Sequence, residues 1–304
     1  MKKYIFLTLS VLVFSCKTNT KKDTDAPLNV VTTTTMLTDL VKSIGGDVIH
    51  VEGLMGSGVD PHLYRASEGD VSKLFNADVV FYNGLHLEGK LVEVFEKMER
   101  QNVKTIAVAS TIDENQLIGS EYFASNYDPH IWFNINFWTQ ITTFVTEKLK
   151  EADPDNAVLF DRNREAYLSS LQALENEIIT KIAELPEEKR ILVTAHDAFN
   201  YFGQAFGFNV VGLQGLSTAT EAGVQDVQQL AKFIIEKKVK AIFVESSVPK
   251  RTIEALQAAV NAKGNDVTIG GTLYSDALGT AGTEEGTYTG MFKYNVKTIV
   301  EALK

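Results

Sequence analysis

The stretch that decides the fold runs from Asp153 to Pro186, DPDNAVLFDRNREAYLSSLQALENEIITKIAELP. Phe160, Tyr167, Leu171, Leu174, Ile178, Ile182 and Leu185 recur at intervals of three, four or seven, which places them on one face of a helix. Asp153-Pro154 reads as an N-cap followed by proline at the first helical position. Pro186 ends the run, because its ring forbids continuation. Residues 157–185, at about 1.5 Å each, form a rod of roughly 43 Å. A rod packed along two lobes restrains them, whereas a flexible linker lets them swing.

On both sides of this helix, short β-rich runs alternate with amphipathic stretches. The first half reads as strands near Asn29–Thr34, Val48–Leu54, Asp78–Tyr82 and Thr105–Val108. Helices near Leu37–Ile44, Gly69–Leu74 and Gly89–Arg100 fall among them. The second half has strands near Ile191–Thr194, Asn209–Gly212, Ala241–Glu245 and Asp266–Ile269. Its helices lie near Ala198–Phe206, Val224–Lys237, Lys250–Ala262 and Glu285–Ala302. The expected fold is therefore α/β: two lobes, each with a mainly parallel sheet flanked by helices, bridged by one long rigid helix. The expected boundaries are 28–152 for the first lobe, 153–186 for the linking helix and 187–304 for the second.

The start of the chain reads as an address. Lys2 and Lys3 precede an apolar stretch, Tyr4–Phe14, that is too short to span a bilayer comfortably. Val13-Phe14-Ser15-Cys16 resembles a bacterial lipobox, with Phe14 larger than the usual residue. On this reading residues 1–15 are a signal peptide and Cys16 becomes a lipid-carrying N-terminus. Residues 16–27, rich in Lys, Thr, Asn and Asp, form a flexible tether. The protein is then extracytoplasmic and membrane-anchored, in the periplasm or at the cell surface.

Composition narrows the chemistry. Of 304 residues 44% are hydrophobic and 22% charged, an ordinary globular balance. A formal charge of −10 argues against nucleic acid as a partner and tolerates cations. The single cysteine excludes an intrachain disulfide and a cysteine-based zinc site.

Histidine is scarce, so its placement carries information. Asp-Pro-His occurs twice, at Asp60-Pro61-His62 and Asp128-Pro129-His130. With six prolines and five histidines, chance supplies about 0.1 Pro-His pairs, so two such pairs ask for a reason. Proline pins its own φ and biases the preceding residue toward extended geometry. Each tripeptide is a stiff loop presenting an imidazole, which suits a preorganised metal site. His196 and Asp276 follow predicted strands, at the carboxyl edge where ligands of open α/β sheets bind. Any one of the three histidines alone reads more readily as a hydrogen-bonded structural residue, and Asp276 alone as a turn or helix-cap residue. Together, at separations of 68, 66 and 80 residues, they exclude a zinc finger and suit a cleft site with two ligands from each lobe. His86 near the same edge reads as a supporting residue, and His50 as part of a strand.

At these residues the sequence closely resembles the metal-specific solute-binding proteins of bacterial ABC importers, the manganese- and zinc-binding cluster. The motifs that carry the resemblance are Gly53-Leu54-Met55-Gly56-Ser57-Gly58-Val59-Asp60-Pro61-His62-Leu63-Tyr64, Tyr82-Asn83-Gly84-Leu85-His86-Leu87-Glu88-Gly89 and Asp128-Pro129-His130-Ile131-Trp132. Thr194-Ala195-His196-Asp197-Ala198-Phe199, Phe243-Val244-Glu245-Ser246-Ser247 and Leu273-Tyr274-Ser275-Asp276-Ala277-Leu278-Gly279 complete the set.

The resemblance implies a buried metal held by His62, His130, His196 and Asp276, with Glu245 in a supporting role. It also implies delivery of the ion to an ABC permease, by a protein expected to be a monomer and not an enzyme. Many manganese-binding members have glutamate where His196 stands; histidine there occurs in relatives linked to zinc, manganese or both. Members dedicated to zinc often carry a His- and Asp-rich loop between the first two ligands, and here Leu63–Pro129 holds only His86. Four-coordinate N3O geometry suits zinc, a bidentate Asp276 would serve manganese, and Fe2+ stays within the same donor range. Two other classes compete: a metal-dependent hydrolase, and a surface adhesin lipoprotein. The first needs an open coordination position and a general base; the second has no dedicated motif here.

Overall fold

In the computed structural model residues 26–304 are described, apart from Asn102 and Tyr122. The expected signal peptide, Cys16 and all but the end of the tether lie outside the described residues. Strands β1 (Leu28–Thr32), β2 (Ile49–Gly53), β3 (Val79–Tyr82) and β4 (Thr105–Ala107) form one parallel sheet in the order β2-β1-β3-β4. In the register, Val30 stands opposite both Val51 and Val79. Val30 and Val31 are successive residues on opposite faces, and both are fully buried. A parallel strand covered by helices on both sides needs that pattern. The covering helices include α1 (Thr35–Gly45), α2 (Glu68–Asn76) and α3 (Val92–Arg100).

Two long helices follow. The first, α4 (Ile135–Ala152), is not among the helices expected from sequence. Its run of Ile, Phe, Trp, Thr and Val is rich in β-branched and aromatic residues, which favour strands. Burial of Trp138, Ile141, Val145 and Leu149 along one face overrides that preference. The hydroxyls of Thr142 and Thr146 donate to Trp138 O at 2.7 Å and Thr142 O at 2.8 Å, so both threonines can be buried.

The linking helix, α5 (Ala157–Ile182), has 26 residues and is about 39 Å long. It is shorter than expected. Asp153 does not cap it: Pro154–Asn156 form a 3-10 turn, and Asp153 Oδ2 accepts Asn156 Nδ2–H at 2.8 Å instead. At the other end the chain leaves the helix three residues before Leu185 and Pro186.

The second half contains β5 (Ile191–His196), α6 (Asn200–Phe206), β6 (Asn209–Gln214), α7 (Val224–Lys237), β7 (Ala241–Glu245), α8 (Arg251–Asn261), β8 (Thr268–Leu273) and α9 (Tyr288–Leu303). β5 pairs with β6 and β7 with β8, both in parallel. The two ladders lie side by side through β5 and β7.

α5 packs on α1 and α4 from the first half and on α9 from the second. Its Phe160, Leu171, Leu174 and Ile178 belong to one buried cluster that also holds Leu40, Trp138, Phe202 and Phe292. The lobes thus share a continuous apolar mass rather than meeting at a polar seam. No helix among the described residues is long and apolar enough to cross a membrane.

Candidate metal centre

Loops at the carboxyl ends of the strands bring the four candidates together. His62 follows β2, His130 follows β4, His196 is the last residue of β5, and Asp276 follows β8. One nitrogen or oxygen atom from each lies within 4.8 Å of all the others, and all four side chains are buried. His62 Nε2 stands 3.3 Å from His130 Nε2. The two Asp276 oxygens face different histidines: Oδ1 is 3.6 Å from His130 Nε2, and Oδ2 is 3.3 Å from His196 Nε2.

Carboxylates on the outer side fix the histidines. Asp128 Oδ1 accepts the His130 backbone N–H at 2.9 Å and lies 2.7 Å from His130 Nδ1. Glu245 does the same with two oxygens, accepting the His196 N–H at 2.9 Å through Oε1 and placing Oε2 2.6 Å from Nδ1. With a proton on Nδ1, the lone pair of each ring sits on Nε2, facing the cluster. Asp60 Oδ1 accepts the His62 N–H at 2.8 Å, holding that loop in an Asx turn.

The electrostatics push His62 and His196 in opposite directions. Burial, helped by the neighbouring histidines, pushes the His62 pKa down to about 3, so its ring is neutral near pH 7. Burial opposes charge on Asp276 as well, yet His196, His62 and His130 outweigh it and hold the carboxyl well below its usual range. Burial also opposes charge on His196, but the flanking Glu245 and Asp276 carboxylates raise its pKa well above the ordinary value. His196 Nδ1 meets Glu245 Oε2 as a close ion pair rather than an aligned hydrogen bond, while His196 Nε2 and Asp276 Oδ1 are buried without a hydrogen-bond partner. Orphaned donor atoms of this kind, converging from four loops, fit a cation that they would share.

His86 does not join the cluster. It is exposed, on a turn where Gly84, Leu85 and His86 all have positive φ. The edge of Phe123 meets both the His86 ring, at 6.2 Å, and the His62 ring, at 6.4 Å. The turn is held by buried Glu88, which accepts from Thr33 Oγ1 at 2.7 Å and Asn83 N at 2.8 Å. Asn83 in turn donates to Pro129 O at 3.0 Å, bracing the His130 loop. His50 lies in β2 beside Glu52, as a strand residue.

Sequence reading missed the bonds that cross between the halves. Thr218 Oγ1 donates to Asp60 Oδ2 at 2.5 Å, and Asn200 Nδ2 to Asp128 Oδ2 at 3.1 Å. Leu278, two residues beyond Asp276, donates its N–H to Thr35 Oγ1 at 2.8 Å and accepts from Ser57 Oγ at 2.9 Å. The tract Thr32–Thr35 was the one hint. It reads as low complexity, yet each threonine has its own partner: Thr38, Glu88, the Leu37 N–H and Leu278.

Comparison with known proteins supplies the family. The model of "ZnuA: Zinc-uptake complex component A periplasmic" matches residues 30–302. The chain belongs to this family. It is 46% identical over 305 residues to the manganese-binding lipoprotein MntA of Bacillus subtilis, covering 100% of this chain and 98% of that protein. It is 49% identical over 274 residues to the zinc-binding protein TroA of Treponema pallidum, covering 90% and 88% respectively. The solved structure of that zinc-binding protein superimposes with a TM-score of 0.89, covering 91% of this chain and 99% of the other. An Fe(III)-bound YtgA of Chlamydia trachomatis has a TM-score of 0.81 at 26% identity, over 90% of this chain and 97% of its own. The family is that of metal-binding substrate-binding proteins of ABC transporters, and the α/β fold with its long helix is the family's fold.

Proposed function

We propose that this protein captures one divalent transition-metal ion, manganese or zinc, between its lobes and delivers it to an ABC permease. The observation that carries the reading is the convergence of His62, His130, His196 and Asp276, all buried and aimed at one point. A divalent ion that displaces the His196 proton meets three neutral imidazoles and one carboxylate, which leave it with a net local charge of +1. Both Asp276 oxygens turn toward the cluster, so a bidentate carboxylate extends the N3O set by one donor. That supports manganese beside zinc, and Fe2+ fits the same donors.

The supporting carboxylates favour capture over catalysis. A metallohydrolase needs a free general base near the ion. Here Asp60, Asp128 and Glu245 are each engaged with a histidine. On this reading residues 28–152 and 187–304 are the metal-binding lobes and 153–186 the link. Cys16 carries the lipid that anchors a monomer outside the cytoplasm, as the word lipoprotein in the names of relatives suggests.

Competitive titration of purified protein with Mn2+ and Zn2+, with metal analysis, tests the reading. One ion per chain is expected, with binding weakened strongly in His62→Ala and Asp276→Ala. Unchanged affinity in both variants would overturn the ligand assignment.

A further inference from the structure

The two Asp-Pro-His loops share a geometry that the capture of a metal does not by itself require. In each, one oxygen of the aspartate serves the histidine two residues later: Asp60 Oδ1 takes the His62 N–H, and Asp128 Oδ1 takes the His130 N–H and faces its Nδ1. The other oxygen takes a hydrogen bond from the opposite half of the chain. Asp60 Oδ2 receives Thr218 Oγ1, from the loop between β6 and α7. Asp128 Oδ2 receives Asn200 Nδ2, from the first residue of α6. Two loops 68 residues apart arrive at the same device with different donors.

From this we infer that Thr218 and Asn200 are positioning residues that set how long the ion is held. Each donor fixes an aspartate, and the aspartate fixes the histidine. The His62 backbone and the His130 ring are thereby locked only while the second half is in place. When the halves part, the donors withdraw, each aspartate is freed to turn, and the two N-terminal imidazoles lose their alignment together. Thr218 is buried and Asp60 half-buried, so the bond forms at the edge of the packed interior. The Thr218 loop also lines a cavity of about 400 Å³ bounded by Phe123, which edges the His62 ring, and by Asp197, which follows His196. Disengaging Thr218 therefore loosens the wall of a space lined by neighbours of His62 and His196.

Hydrogen bonds to charged acceptors are the strong ones, so losing one latch speeds release by about tenfold. The latches sit on separate loops but act on imidazoles 3.3 Å apart, so their effects are coupled.

The inference rests on the metal-capture reading, and the experiment separates the two. Wild type, Thr218→Val, Thr218→Ser and Asn200→Leu are loaded with Mn2+ or Zn2+ and mixed with excess chelator in a stopped-flow instrument. Thermal unfolding of each metal-free protein is measured in parallel. The expected result is release about tenfold faster in Thr218→Val and Asn200→Leu, and faster than either in the double variant. Thr218→Ser, which keeps the hydroxyl, stays within about twofold of wild type, and metal-free melting temperatures are unchanged. Release at the wild-type rate in both single variants overturns the latch, as does faster release accompanied by an equal loss in Thr218→Ser. Wild type that binds neither ion overturns the capture reading itself.

Discussion

Glu245 grips His196 at two points, taking its backbone N–H on Oε1 at 2.9 Å and lying 2.6 Å from its Nδ1 through Oε2. The first contact ties the end of β7 to the end of β5 at the junction of the two ladders. The second pairs the ring with a buried carboxylate while Nε2 faces Asp276. One carboxylate therefore closes the sheet layer and orients an imidazole.

Glu245→Gln keeps the shape of this contact and removes its charge. Partners of this kind typically contribute 10–100-fold in metal affinity, so weakening within that range is expected in chelator competition. Affinity equal to wild type would mean that the backbone alone holds the ring.

Acid should unfold the metal-free protein partly through His62. Burial lowers its pKa to about 3, whereas an unfolded histidine titrates near 6.5. Below that value the unfolded chain takes up a proton that the folded chain refuses. The contribution is thus fully present above pH 6.5 and is lost as the pH falls toward 3. Urea midpoints measured across this window should fall more steeply for wild type than for His62→Ala. Parallel curves would contradict the assignment.

The shared core predicts a single unfolding transition for the whole described chain. Leu174→Ala on α5, in a fully packed position, should cost about 2–5 kcal/mol. Denaturation followed by near-UV and far-UV circular dichroism should give coincident curves in wild type and variant. Two separated transitions would show that the lobes fold independently.

Adding metal should raise stability by mass action. With free Mn2+ or Zn2+ at 100 times its dissociation constant, a gain of about 2.7 kcal/mol is expected. Chelation should reverse it. A melting temperature indifferent to both ions would exclude tight binding to the folded state.

What the sequence disclosed follows from how local each signal is. The Asp-Pro-His loops were legible because proline stiffens them wherever the chain goes, and His196 and Asp276 because they follow strands. The α4 helix was hidden by its own composition: Trp138, Thr142 and Val145 favour strands until a neighbouring face buries them. Thr218 and Asn200 were not legible at all. Each acts on a residue 158 or 72 positions away, a relation that exists only once both halves have folded.

The threonine tract ends in a question of information. Between Asn29 and Met36 the chain reads Val-Val-Thr-Thr-Thr-Thr. Sliding it forward by one residue would put threonine back at three of the four threonine sites and valine back at position 31. The errors would fall at three places, with Asn29 forced into the fully buried place of Val30, Val31 into that of Thr32 and Thr35 into that of Met36. Four non-interchangeable hydrogen bonds are thus addressed by three boundaries of the tract, and a change at Asn29 or Met36 would blur the address without touching any of the four.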